Sequence, residues 1–117
     1  TMHKQPEISE NDRKFIRHLA DFVEAHISDC NLSTAMLAEE FCLSPRQFSR
    51  RVKEITSVDT THYIRAARIM KARTLLTETE LPISEIYFEC GFESANYFAR
   101  VFKQDVGVSP SEFRTKG

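Results

Sequence analysis

Glycine is scarce in this chain of 117 residues: Gly91, Gly107 and the terminal Gly117 are the only three. With so few, and with no stretch alternating apolar and polar residues for the length of a strand, sheet architectures are excluded and the chain reads as all-α. No apolar run reaches the roughly 18 residues that a membrane-spanning helix needs, and no charged start leads into the apolar stretch of a secretory signal. Cysteine is sparse and odd in number. Cys30, Cys42 and Cys90 have no Cys-x-x-Cys spacing, which argues against a disulfide framework and a zinc site and makes a reducing cytoplasm the expected compartment. His3, His18, His26 and His62 lack metal-ligand spacing, and no Ser/His/Asp or Cys/His arrangement suggests a nucleophile, so neither an enzyme nor a cofactor is expected. A chain of this length can build one domain, or two small lobes sharing a connector. It begins at Thr1 rather than methionine, from which we expect a longer parent protein with a sensory part elsewhere.

Charge is nearly balanced overall, at −1, but is unevenly distributed. Residues 1 to 43 hold four Lys/Arg against eight Asp/Glu, a net of −4, and residues 77 to 117 hold four against seven, a net of −3. Residues 44 to 76 hold eight basic groups (Arg46, Arg50, Arg51, Lys53, Arg65, Arg68, Lys71, Arg73) against Glu54 and Asp59, a net of +6. A basic block between acidic flanks fits a solvated helix face or a nucleic-acid surface, and charge alone leaves both open.

Apolar residues recur at helical steps of three and four. Phe15, Leu19, Phe22, Val23 and Ile27 form a stripe that predicts a helix over about 10 to 28, capped by Ser9 or Asn11. Ser33 caps a short helix to about residue 41, and Ser44-Pro45 opens another to about 55, with Phe48, Val52 and Ile55 inward and Arg46, Ser49, Arg50 and Lys53 outward. Residues 60 to 77 read as a longer helix whose apolar residues, from Tyr63 and Ile64 to Leu75 and Leu76, are spread so widely that more than one side must be buried. A fifth helix, with Ile83, Ile86 and Tyr87, stops before Gly91. Ser94 caps a sixth to about Gln104, with Phe98, Val101 and Phe102 inward, and Pro110 opens a seventh through Phe113.

A shift of fifty residues lays Ser44 on Ser94, Phe48 on Phe98, Arg50 on Arg100, Val52 on Phe102, Lys53 on Lys103, Val58 on Val108 and Tyr63 on Phe113. Each copy reads as a short helix, a tight turn and a capped second helix, the sequence form of a helix-turn-helix. The expected organisation is a leader and first helix over 1–31, a first helix-turn-helix unit over 32–59, a connector over 60–80 and a second unit over 81–117.

At these residues the chain resembles the AraC/XylS family of transcription regulators, over nearly all of residues 32 to 114. The second unit carries the most specific part: Ile83-Ser-Glu-Ile86, Gly91-Phe92-Glu-Ser94, Tyr97-Phe98-Ala-Arg100-Val-Phe102-Lys103, Gly107-Val-Ser109-Pro110 and Phe113-Arg114. The first unit matches through Leu37-Ala38, Leu43-Ser44, Phe48-Ser-Arg50, Val52-Lys53, Tyr63-Ile64, Arg68, Ala72 and Leu75-Leu76. The leading helix and the Asp29–Ser33 stretch are similar to members that end two-component sensor or response-regulator chains. Three positions depart from the family pattern. Tyr87 replaces a small residue, Ser57 replaces the glycine of the first unit and is expected to strain its turn, and Thr60 stands where Pro110 stands in the second unit.

The resemblance implies sequence-specific binding of double-stranded DNA, with the second helix of each unit in the major groove. Base contacts then fall to Arg46, Ser49 and Arg50 in the first unit and to Ala95, Asn96, Ala99 and Arg100 in the second. The chemistry agrees: Arg50 and Arg100 can each offer two parallel donors to guanine, and Asn96 can donate to and accept from adenine. Lys53, Lys103 and the helix starts at Ser44 and Ser94 suit phosphates, and His62 is a further phosphate candidate. For Arg46, Arg51 and Lys71 an ordinary surface pair remains an alternative, and Arg68 is expected to bridge the lobes. The expected partners are DNA and RNA polymerase, with a monomeric fragment that dimerises through a missing region. The rival reading is a helical protein-interaction module, favoured by the acidic flanks and by a second unit with only Arg100 and Lys103 as outward cations.

Overall fold

A computed structural model describes residues 8–116 as seven helices: α1 (Glu10–Ala25), α2 (Thr34–Glu40), α3 (Pro45–Thr56), α4 (Thr60–Glu78), α5 (Ile83–Glu89), α6 (Ala95–Val106) and α7 (Pro110–Lys116). No strand occurs among the described residues. His3 and the rest of residues 1 to 7 of the expected leader, with Gly117, lie outside them.

Six helix starts are set by side chains that accept the free amides of a first turn, the last of them Ser109, which accepts from Glu112 at the start of α7. At the other five, Ser9, Ser33, Ser44, Asp59 and Ser94 accept from Asp12, Met36, Gln47, His62 and Tyr97. Ser9 is therefore the first cap, and Asn11 lies inside α1. α1 stops at Ala25 rather than near 28, because the His26 ring turns back to bond the Phe22 carbonyl at 2.9 Å and the chain bends. α6 runs past Gln104 to Val106, where Gly107 supplies the left-handed ending, and α7 runs past Phe113 to Lys116.

Two apolar cores result. Phe15, Leu19, Val23, Ile27, Leu32, Leu37, Ala38, Phe48, Val52 and Ile64 close the first. Ile69, Ala72, Leu76, Ile86, Cys90, Phe92, Phe98, Val101 and Phe102 close the second. α4 is the wall they share: Ile64 faces one core while Ile69, Ala72 and Leu76 face the other, which is the two-sided burial its apolar spread predicts. The C-terminal turn of α4 has no basic residue of its own. Arg114 of α7 covers it, donating to the carbonyls of Leu75, Leu76 and Thr79.

The repeat is visible in the backbone. α2 and α5 have seven residues each, and α3 and α6 have twelve. In each turn the chain passes through a left-handed residue, Cys42 (φ 59°) or Gly91 (φ 82°). Matched bonds close them, Leu43 N–H to Ala38 O at 3.0 Å and Phe92 N–H to Tyr87 O at 2.9 Å. Glu93 makes the second turn one residue longer, so the copies are offset by forty-nine residues before the turn and by fifty after it.

Candidate nucleic-acid interface

α3 is built to hold one face outward. Pro45 occupies its first position and Ser44 and Gln47 form a reciprocal cap, while Phe48 and Val52 are fully buried. The 3.6-residue period then brings Arg46, Arg50 and Lys53 together on the solvent side, with Ser49 half-buried at its edge. Among the described residues no carboxylate lies within ion-pair distance of these three cations.

α6 repeats the design. Phe98, Val101 and Phe102 anchor it, and Ala95, Asn96, Ala99, Arg100 and Lys103 are exposed. Arg46, Ser49, Arg50 and Lys53 thus correspond, fifty residues on, to Asn96, Ala99, Arg100 and Lys103. The Arg100 guanidinium lies over the Tyr97 ring, 5.3 Å from its centroid, a cation–π contact that holds the long side chain near the helix surface.

The two helix starts differ in what they offer a phosphate. The Ser44 amide is not free, because it donates to Gln47 Oε1 at 3.0 Å while Gln47 N–H donates to Ser44 Oγ at 3.1 Å. Pro45 has no N–H, so the Arg46 amide is what remains at the start of α3. At α6 Ser94 Oγ takes only the Tyr97 amide, and the Ala95 and Asn96 amides have no partner among the described residues.

Much of the basic block is engaged elsewhere. Arg51 pairs with Asp12 at 3.1 Å and lies over Phe15, as the surface-pair reading expects. Arg73 lies over Phe113, and Lys71 lines a groove between α1 and α4. His62 directs Nδ1 to the Asp59 carboxylate at 2.8 Å, and bonds from the His62 amide and ring hold that carboxyl below its usual range, so a phosphate approaching His62 would meet Asp59 as well.

Two arginines of α4 join the lobes, as was expected of Arg68 alone. Arg68 Nη2 donates to Asp29 O at 2.7 Å and its Nε approaches Ile27 O at 3.4 Å; half-buried there, the guanidinium is pushed down from its ordinary value by desolvation. Arg65 forms a two-pronged pair with Asp105, at 2.6 and 2.9 Å, and reaches Gln104. Its donated bonds hold the Asp105 carboxyl below the usual range. Gly91 completes the junction: a Cβ there would sit 2.1 Å from Ile27 O and 2.7 Å from Arg68 Nε. The spacing of Arg65 and Arg68 on one helix face was readable, but partners about forty residues distant, two of them main-chain carbonyls, leave no mark in the sequence.

Comparison with known proteins agrees with this geometry. Residues 37–116 match the profile described as a helix-turn-helix domain. The arabinose operon regulatory protein of Escherichia coli strain K12 is 34% identical over 99 residues, which are 85% of this chain and 34% of that protein, so the chain spans about a third of such relatives. The C-terminal domain of AraT, a response regulator from Geobacillus stearothermophilus, superposes with a TM-score of 0.82 at 31% identity, covering 96% of this chain and 89% of that one. The DNA-binding domain of AdpA, a global transcriptional factor solved in complex with a target DNA, shares the fold, with a TM-score of 0.80 at 23% identity over 86% of this chain and 90% of that one. With its two helix-turn-helix pairs on one connector, the chain belongs to the AraC-type family of transcription-regulator DNA-binding domains.

Proposed function

We propose that the domain reads two successive major-groove segments of double-stranded DNA, through α3 and α6, as the output part of a transcription regulator. One observation carries this: two twelve-residue helices, each anchored by a buried Phe, present an arginine and a lysine at corresponding outward positions, Arg50 with Lys53 and Arg100 with Lys103. α4, at nineteen residues, gives a connector of about 28 Å against a duplex turn of about 34 Å, a gap that modest bending of the DNA closes. Residues 32–59 and 81–117 act as the two reading units, and 60–80 as the connector.

Within them Arg50 and Arg100 read guanine and Asn96 reads adenine. Arg46 and Ser49 flank the first reader, and Ala95 and Ala99 offer methyl contacts in the second unit. Lys53, Lys103 and the amide-rich start of α6 at Ser94 hold phosphates; at Ser44 the Arg46 amide serves instead. The likeness to a response-regulator domain supports a place at the end of a two-component chain. Free cysteines and, among the described residues, no helix long and apolar enough to cross a membrane accord with action in the cytoplasm. Dimerisation outside the fragment and contact with RNA polymerase complete the reading.

Selection of bound sites from random duplexes tests it. Two short base clusters about one duplex turn apart are expected. A single cluster, or no enrichment, would refute it.

A further inference from the structure

We propose that Arg65 and Arg68 set the distance and phase between the two reading helices, and so decide which spacing of DNA sub-sites the domain accepts. The inference rests on the two-helix reading above and adds a specificity role for residues that touch no base. α6 is held at two points by one face of α4. Near its C-terminal end Arg65 grips Asp105 and Gln104. Just before its start, Gly91 is pressed on Arg68 and on the Ile27 carbonyl of the first lobe, while Arg68 is itself bonded to Ile27 and Asp29. A rod fixed at both ends has a defined direction; a rod fixed at one end can swing.

Apolar packing does not supply this definition by itself. The two cores have no member in common, and a cleft of about 600 Å³ opens between the lobes, lined by Leu32, Thr34, Ile64, Phe92 and Tyr97 besides the two arginines. Space there lets the second lobe tilt toward the first unless the polar contacts oppose it. A two-pronged guanidinium–carboxylate pair fixes angle as well as distance, and a glycine whose Cβ position is already filled fixes closest approach. One base pair changes the separation of two groove segments by about 3.4 Å and their phase by about 35°. A rigid pair of readers therefore rejects it, and a hinged pair tolerates it.

The test measures binding to duplexes that carry the two selected base clusters with spacers one or two base pairs shorter or longer than the preferred one. The native domain should lose at least tenfold in affinity for each one-base-pair change. Arg65→Gln combined with Arg68→Gln should compress that range to about threefold, leaving base preference within each cluster unaltered. Asp105→Asn, a mild change at an exposed position, should compress it partway, and exchanging the pair (Arg65→Asp with Asp105→Arg) should restore the steepness that Arg65→Asp alone removes. A uniform loss of affinity at every spacer, with steepness intact, would overturn the positioning role and leave the two-helix reading standing. Loss of one cluster's influence in the native domain would overturn both.

Discussion

Ser57 and Gly107 occupy the same left-handed turn fifty residues apart. Their φ values are +70° and +100°, and each amide donates to a lysine carbonyl four residues back, Lys53 O at 2.9 Å and Lys103 O at 2.8 Å. Glycine adopts this conformation freely, whereas a residue with a Cβ meets a steric cost of about 1–2 kcal/mol.

Ser57→Gly should therefore raise the unfolding free energy by about 0.5–1 kcal/mol, the relief of strain being partly offset by the freedom glycine adds to the unfolded chain. Gly107→Ala should lower it by about 1 kcal/mol even though nothing lies within 4 Å of the added Cβ. Urea midpoints at constant slope decide; equal stability of Ser57→Gly and the native domain would show that the left-handed backbone carries no cost.

Thr60 and Pro110 occupy equivalent first positions of α4 and α7, and both are buried. The Thr60 hydroxyl is buried with no hydrogen-bond partner, its amide makes no bond among the described residues, and Asp59 before it has the extended ψ of 170° that a following proline requires. Thr60→Pro should stabilise the domain by about 1 kcal/mol, by removing an unsatisfied polar group and pre-setting the helix start. Calorimetry checks this, and a lowered Tm would show that the site needs the threonine backbone.

Arg50→Ala and Arg100→Ala should each cost roughly 1–3 kcal/mol against the preferred base in separate clusters, while Lys53→Ala weakens all sequences alike. With about five phosphate contacts, affinity should fall with salt at a log–log slope of about −4 to −5. If the two arginine variants blur the same positions, the assignment of one cluster to each helix is wrong. A flat salt dependence would return the domain to the rival reading of a protein-interaction module.

Cys90 lies wholly inside the second core, and burial pushes its thiol up to about 12, whereas Cys30 and Cys42 are exposed. A disulfide reagent added to the native domain should consume two thiols quickly and the third only on unfolding. The pH dependence has a definite sign. An acid whose pKa is higher in the folded state contributes in full below its unfolded value, about 8.5, and loses that contribution as pH rises toward about 12. Stability should decline over that interval, and Cys90→Ala should flatten the decline; an unchanged slope would assign it to other groups, such as the half-buried Tyr63, whose hydroxyl is raised in the same direction.

The sequence shows those elements whose causes are local. Apolar residues at three and four, serines before them and the fifty-residue repeat locate the seven helices of the described residues, and a serine at 57 where its repeat partner is Gly107 marks a strained turn. What stays hidden depends on distant partners. Nothing near Arg65 points to Asp105, and the serine-capped start of α3 looks as open as that of α6 until Gln47 is seen to close it. The turn-back of His26 onto Phe22, which shortens α1, competes with a helical pattern that would otherwise run on.

Because α4 serves both cores on different faces, its length is quantised. One residue inserted between Ile64 and Ile69 would advance the second lobe by about 1.5 Å but rotate it by about 100°, pulling Ile69, Ala72 and Leu76 out of their core. The shortest insertion that returns those side chains nearly to their places is about seven residues, two turns and about 10.5 Å, which on DNA is about three base pairs. The separation of the readers can therefore lengthen along this helix only in steps of that size, and any finer adjustment must come from the side chains around it.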